Sequence, residues 1–242
     1  MEASPGLDFP EHTPDMWKLV RAAHRVTHMA VRVDEKAAAK QALLFAPSPA
    51  ERRVFVDLGT NHGDTIYQFL TFVPDPQNWE LWGFEAVKDI AELATTLCQW
   101  IIANYPLGPN RESVFHILNY AVWTEDTHLE FHTGENSAGS VFEKPNADGP
   151  VVRVPAVDIA SWIRSSFQES DFIYMKMDIE GAEYPVIEHM TKDGVACWPR
   201  KWSLEWHKVG KDKKAAGLQK QEAELNMMAL LEATGAEYGE LE

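Results

Sequence analysis

Apolar and polar positions alternate in blocks along this chain. Short continuous apolar runs end in a carboxylate or an amide, and between them lie longer stretches with apolar residues at helical spacing. The runs Val54–Asp57, Leu81–Phe84, Val114–Leu118, Asp171–Met177 and Trp202–Trp206 read as strands. The stretches Asp64–Phe72, Lys88–Ala103, Val157–Phe167, Ala182–Met190 and Leu218–Ala233 read as helices. Strands alternating with helices predict an α/β fold, with a mostly parallel sheet covered by helices on both faces. In such a sheet ligand groups gather at the carboxyl ends of the strands. Polar residues stand there in every case: Asp57, Glu85, Asn119, Asp178 and Glu205.

Two stretches break this rhythm. At the N-terminus, Thr13-Pro14-Asp15 supplies a capping hydroxyl and a proline at a helix start, and Met16, Leu19, Val20, Ala23 and Val26 follow at helical spacing. Residues 1–50 are therefore expected to form a helical extension, joined to a domain over 51–242 by the connector Ala46–Ala50. In the middle, Leu129–His132 and Val151–Pro155 are short extended runs around a loop that contains Asn136-Ser-Ala-Gly-Ser140. The tail from Gly235 to Glu242 leaves little room for the antiparallel strand pair that often closes a sheet of this kind.

The most informative corner is Val54-Phe-Val-Asp-Leu-Gly-Thr-Asn-His-Gly63, followed by Asp64 and Thr65. It reads as strand, tight glycine turn and helix start. Gly59 and Gly63 let the backbone turn sharply and approach a ligand closely. Asn61 stands where a dinucleotide turn would have glycine, and no Gly-Lys-Ser/Thr follows, so phosphate gripping is disfavoured. Asp57 suits a ligand with hydroxyls or positive charge. S-adenosylmethionine has a ribose, an ammonium and a sulfonium, and no phosphate. Glu85, at the end of the second strand, is placed to accept ribose hydroxyls.

A second cluster is Met177-Asp-Ile-Glu-Gly-Ala-Glu183, beside Lys176. Asp178 projects into the expected cleft, and Glu183 reads as a cap or an orienter of the turn. Glu205-Trp-His207 lies beside it. Asp178, Glu205 and His207 form a candidate site for Mg²⁺ or Mn²⁺. Alternatively, His207 alone takes a proton as general base. Asp158 reads as a helix cap.

Composition narrows the partners. The chain has 242 residues and a net charge of −15, so its surface repels phosphate backbones and a nucleic-acid substrate is not expected. A small-molecule or carbohydrate substrate is expected instead. The two cysteines, Cys98 and Cys197, lack a partner motif and read as reduced and buried, which with the acidic N-terminus suggests a cytoplasmic protein. No stretch approaches the ~18 apolar residues of a membrane span.

Taken together, these motifs resemble the FkbM family of S-adenosylmethionine-dependent methyltransferases. The resemblance runs from about residue 53 to residue 208, through Val56–Gly63, Gly83-Phe-Glu85, Ala121-Val-Trp123, Asn136–Ser140, Val154–Asp158, Lys176–Glu183 and Glu205-Trp-His207. The Asp-x-Glu-Gly-Ala-Glu element is its most specific part. Thr60 replaces the family's usual Ala, and Val87 stands where Pro is common. The resemblance implies a class I (Rossmann-like) methyltransferase fold and O-methylation of a hydroxyl, often on a sugar or polyketide. It implies cofactor binding by Asp57, Gly59, Asn61, Gly63 and Glu85, and a reaction cleft lined by Asp178 and Glu180. Thr60, Thr65, Asn119 and Asp178 are further expected cofactor-binding residues around the same strand ends. Asp178, Glu180 and His207 are the expected reaction-centre residues. Two other readings of the same residues are a Rossmann-type oxidoreductase and a non-catalytic cofactor-fold binding module.

Overall fold

A computed structural model describes residues 51–73, 75–104, 115–132, 151–207 and 213–240. The expected N-terminal helical extension and the Asn136–Ser140 loop lie outside the described residues. Strand β1 (Arg53–Leu58) leads into helix α1 (Asp64–Phe72). Next come β2 (Trp79–Phe84), α2 (Lys88–Asn104), β3 (Phe115–Leu118), β4 (Ala121–Trp123), β5 (Thr127–His132) and β6 (Val151–Asp158). The chain continues through α3 (Ile159–Ser166), β7 (Phe172–Met177), α4 (Glu183–Asp193), β8 (Lys201–Leu204), α5 (Lys213–Thr234) and β9 (Glu237–Glu240).

The main sheet has the order β3-β2-β1-β7-β8-β9. Every pairing in it is parallel. The chain starts at β1, moves outward to β3, and later returns to the other side of β1 as β7. The carboxyl ends of β1 and β7 are thus the point where strand order reverses, which is where open α/β sheets bind ligands. A smaller sheet, β4-β6-β5, has one parallel and one antiparallel pairing.

Alternation along β1 divides the core between the two faces of the sheet. Val54, Val56 and Leu58 pack with Ile173, Met175 and Met177 of β7, against Ile159 and Ile163 of α3 and Val186 and Met190 of α4. Phe55 faces the other way and packs with Phe69 of α1, Trp79, and Cys98 and Ile101 of α2. Phe55 and Phe69 stack with ring centroids 4.1 Å apart. Asp57 shares the Phe55 face by the same period of two.

Several expectations need adjustment. The tail forms β9, which pairs in parallel with β8, because α5 carries the chain back along the sheet as a crossover helix. The last inner strand ends at Leu204, so Glu205 and His207 lie in the segment after it. Cys98 is buried as expected, but Cys197 is exposed beyond the end of α4.

Candidate functional site

The site is built at the ends of β1, β2 and β7. After Leu58 the chain turns through Gly59 (φ 87°), Asn61 (φ 51°) and Gly63 (φ 90°), all left-handed. Gly59 cannot be replaced without displacing its neighbours: a Cβ there would lie 1.8 Å from the Asp178 carbonyl oxygen. The backbone of the turn is pinned to β2, since Gly59 and Thr60 both donate to the Phe84 carbonyl at 3.1 and 2.9 Å.

Glu85 continues from β2 into the same corner. One carboxylate oxygen accepts from the Asn61 N–H at 3.0 Å, the other from the Val87 N–H at 2.9 Å. Burial pushes its carboxyl up from the ordinary glutamate value, against the pull of those two N–H groups. Each oxygen keeps a further lone pair for an incoming hydroxyl.

The cleft beside these groups is lined by Gly59, Asn61, Glu85, Tyr120, Asp178 and Glu180, with Phe84, Phe131 and Ile179 among its apolar walls. It encloses about 610 Å³ of empty space, counting the space open to solvent. Among the described residues that line it, none carries a positive charge.

The expected cofactor residues divide into those that line the cleft and those that support it. Gly59, Asn61, Glu85 and Asp178 line it. Thr60 is buried and bonds the Asp57 carbonyl through its hydroxyl, and its side chain fills the space that Gly83 leaves open. Gly63 caps α1, with Thr65 in that helix's first turn. Asn119 donates to the carbonyls of Glu85 and Ala86, both at 2.9 Å, and so holds the end of β2. Asp57 lies beneath the turn and is fully buried. The positive charge it meets is the protein's own: Lys176 Nζ stands 3.0 Å from Asp57 Oδ1. Burial pushes the Asp57 carboxyl up to about 6, with Lys176 opposing.

At the β7 end, Asp178, Glu180 and His207 converge. The His207 Nε2 is 3.8 Å from Asp178 Oδ1 and 3.8 Å from Glu180 Oε2. Each of the three residues offers one ligand atom, and these atoms lie within 4.8 Å of one another, so the trio has the spacing to hold a metal ion. Glu205, expected as a ligand, is outside that group. Its side chain is half exposed, and although it lies 3.6 Å from the imidazole it does not join the three residues whose ligand atoms all lie within 4.8 Å of one another. Glu180 takes its place, projected by a left-handed backbone (φ 57°).

Glu183 organises this end. It is fully buried, and its carboxylate accepts from the N–H groups of Ile179 and Gly181 at 3.0 and 2.9 Å. Glu183 therefore orients the turn and does not cap the helix, since α4 starts without a side-chain cap hydrogen bond. The same carboxylate lies 2.9 Å from His207 Nδ1. It fixes that nitrogen as the donor, which leaves Nε2 turned toward Asp178 and Glu180, the two carboxylates that line this end of the cleft. The Glu183 hydrogen bond also holds His207 above the ordinary histidine pKa, although burial pulls the other way. Tyr184 completes the support by donating to the His207 carbonyl at 2.7 Å. Sequence reasoning missed this pairing because Glu183 and His207 come from different elements. Lys176 did leave a signal, as a lone charge in an otherwise apolar strand.

Comparison with known proteins bears on these residues. The family described as Methyltransferase FkbM domain matches residues 57–238. A crystal structure of the methyltransferase FkbM from Methylobacillus flagellatus KT is similar to this chain at a TM-score of 0.45 and 11% identity, over 89% of this chain and 54% of that one. The chain thus spans about half the length of that protein. Among curated proteins no sequence matches. The family match takes in both carboxyl-end clusters, the glycine turn after β1 and the acidic turn after β7, and it covers most of the chain: the chain belongs to the FkbM methyltransferase domain family.

Proposed function

We propose that this protein is an S-adenosylmethionine-dependent O-methyltransferase acting on a hydroxyl of a carbohydrate or other small-molecule acceptor. The observation that carries this reading is the chemistry of the cleft lining. It offers carboxylates at both ends, Glu85 at one and Asp178 with Glu180 at the other, and no positive charge among the described lining residues. That set suits a cofactor with ribose hydroxyls, an ammonium and a sulfonium. It does not suit a pyrophosphate, which speaks against a Rossmann-type oxidoreductase. Gly59 lets the glycine turn pack directly against the Asp178 backbone, which brings the two turns that line the cleft together.

The cofactor supplies an electrophilic methyl group. The chain's part is to hold the acceptor hydroxyl in line and to take its proton. His207 Nε2 is the group placed to take it, with Glu183 keeping the imidazole in the right tautomer and stabilising the cation formed. Asp178 and Glu180 flank that nitrogen and are placed to accept hydrogen bonds from the acceptor. The barrier is lowered mainly by alignment of the reacting atoms. A second reading is supported by the close grouping of Asp178, Glu180 and His207: Mg²⁺ or Mn²⁺ held there would lower the acceptor's pKa directly. Turnover that survives exhaustive chelation decides for the histidine.

No helix among the described residues is long and apolar enough to cross a membrane. With two unpaired thiols, a cytoplasmic location is the one we favour, and the acidic net charge makes a nucleic-acid substrate the least suitable.

The test is calorimetric titration with S-adenosylhomocysteine. Wild type is expected to bind it, and NAD is expected not to bind. Glu85→Ala is expected to lose about 1.5–3 kcal/mol of binding, roughly a 10- to 150-fold weaker affinity, for a lost hydrogen bond to a charged group. An unchanged affinity in that variant would remove Glu85 from the ribose site.

A further inference from the structure

Lys176 is a buried cation that the reaction as proposed leaves without a role. Its side chain is 3% exposed, and its ammonium meets three oxygen partners. It lies 3.0 Å from Asp57 Oδ1 and 3.4 Å from Asp178 Oδ2, and it donates to the Gly59 carbonyl at 2.8 Å. The first contact follows from strand pairing, because Asp57 and Lys176 are register partners on β1 and β7. Neutralising Asp57 needs no more than that. The other two contacts reach residues that line the cleft, one from the glycine turn and one from the acidic turn. These two turns are in close contact, since any side chain on Gly59 would collide with the Asp178 backbone.

We propose that Lys176 is a positioning residue for the methyl-transfer site: its ammonium gathers the Gly59 carbonyl and the Asp178 carboxylate to one point, and so sets the distance between the cofactor turn and the reaction end of the cleft. The proposal rests on the reading of this cleft as an S-adenosylmethionine site. Asp57 is the buried counterion that lets the ammonium stay charged there. Removing the lysine alone leaves Asp57 as an uncompensated buried charge, whereas neutralising both partners removes that penalty. Stability and site geometry can therefore be separated.

The experiment compares full-length wild type, Asp57→Asn, Lys176→Met and Asp57→Asn/Lys176→Met by thermal unfolding and by calorimetry with S-adenosylhomocysteine. Lys176→Met is expected to melt well below wild type. The double variant is expected to recover most of that melting temperature, while its affinity stays at least tenfold below wild type. Asp57→Asn, which keeps the ammonium on Gly59 and Asp178, is expected to bind more tightly than the double variant. The proposal falls if the double variant binds as wild type does, since Lys176 then only neutralises Asp57. It falls if Asp57→Asn binds as weakly as the double variant, or if the double variant does not fold, since the clamp then belongs to the core. Wild type that does not bind S-adenosylhomocysteine removes the cofactor reading and this inference together; wild-type binding with an unaffected double variant removes the inference alone.

Discussion

At the scale of single residues, the site depends on carboxylates that differ in what surrounds them. Glu85 has an N–H on each oxygen and an open side toward the cleft. Glu183 is buried, with both oxygens bonded to neighbours. Asp57 is buried against Lys176. These surroundings decide which group can meet a ligand and which only holds another group in place. His207 depends on this distinction. Its pKa is raised first by the Glu183 hydrogen bond, so Glu183→Gln, which keeps the shape and removes the charge, is expected to move the His207 titration to lower pH in an NMR experiment. A raised histidine pKa means that the pairing contributes stability fully below the unfolded value and loses it as pH rises through the folded one. Wild type should therefore lose more stability than Glu183→Gln as pH rises past neutrality. A His207 titration that stays in place in the variant would show that Glu183 serves the turn alone.

At the scale of elements, two junctions matter most. The first is the turn from β1 into α1, where Gly59 combines a left-handed φ of 87° with a contact no side chain tolerates. Gly59→Ala is expected to cost more than ~2 kcal/mol, since the left-handed penalty alone is about 1–2 kcal/mol; the measurement is the denaturant midpoint. The second is the start of α3. Asp158 accepts from the N–H groups of Ala160 and Ser161, and it lies 2.8 Å from His189 Nε2. The His189 hydrogen bond and the N–H of Ser161 hold its carboxyl below the ordinary aspartate value despite the cost of burial. Asp158→Ala is expected to cost about 0.5–2 kcal/mol, the usual range for a lost cap. Because the folded pKa is depressed, this contribution is present above the unfolded value and lost as pH falls through the folded one. The difference between wild type and Asp158→Ala should accordingly shrink in acid, as followed by thermal unfolding across pH.

At the scale of the whole molecule, the doubly wound sheet is what makes a site from residues far apart in the chain. β1 and β7 become neighbours across the reversal of strand order, so Asp57 meets Lys176 and Gly59 meets Asp178. The family match begins at residue 57, so the glycine-turn side of the cleft, proposed above to hold the cofactor, should not depend on residues 1–50. A chain that starts at residue 51 is expected to bind S-adenosylhomocysteine within a few fold of the full chain, measured by calorimetry. A folded truncation without affinity would assign the N-terminal residues to the cofactor site.

The sequence by itself determined the order and type of the main elements, because strand and helix periods are local properties of the chain. It also located the glycine turn, the acidic turn and the carboxyl-end residues Glu85 and Asp178, since a strand's end is legible where an apolar run stops. Asp158 was legible as a cap for the same local reason. Pairing across the sheet was not legible in this way. That Asp57 points beneath the turn toward Lys176, that Asn119 braces β2, and that Glu180 rather than Glu205 joins Asp178 and His207 depend on register and on where β8 ends. Only the tertiary structure decided these, because one residue of shift in a strand turns its side chains to the opposite face. The bond between Glu183 and His207 likewise exists only once α4 and the segment after β8 are packed side by side.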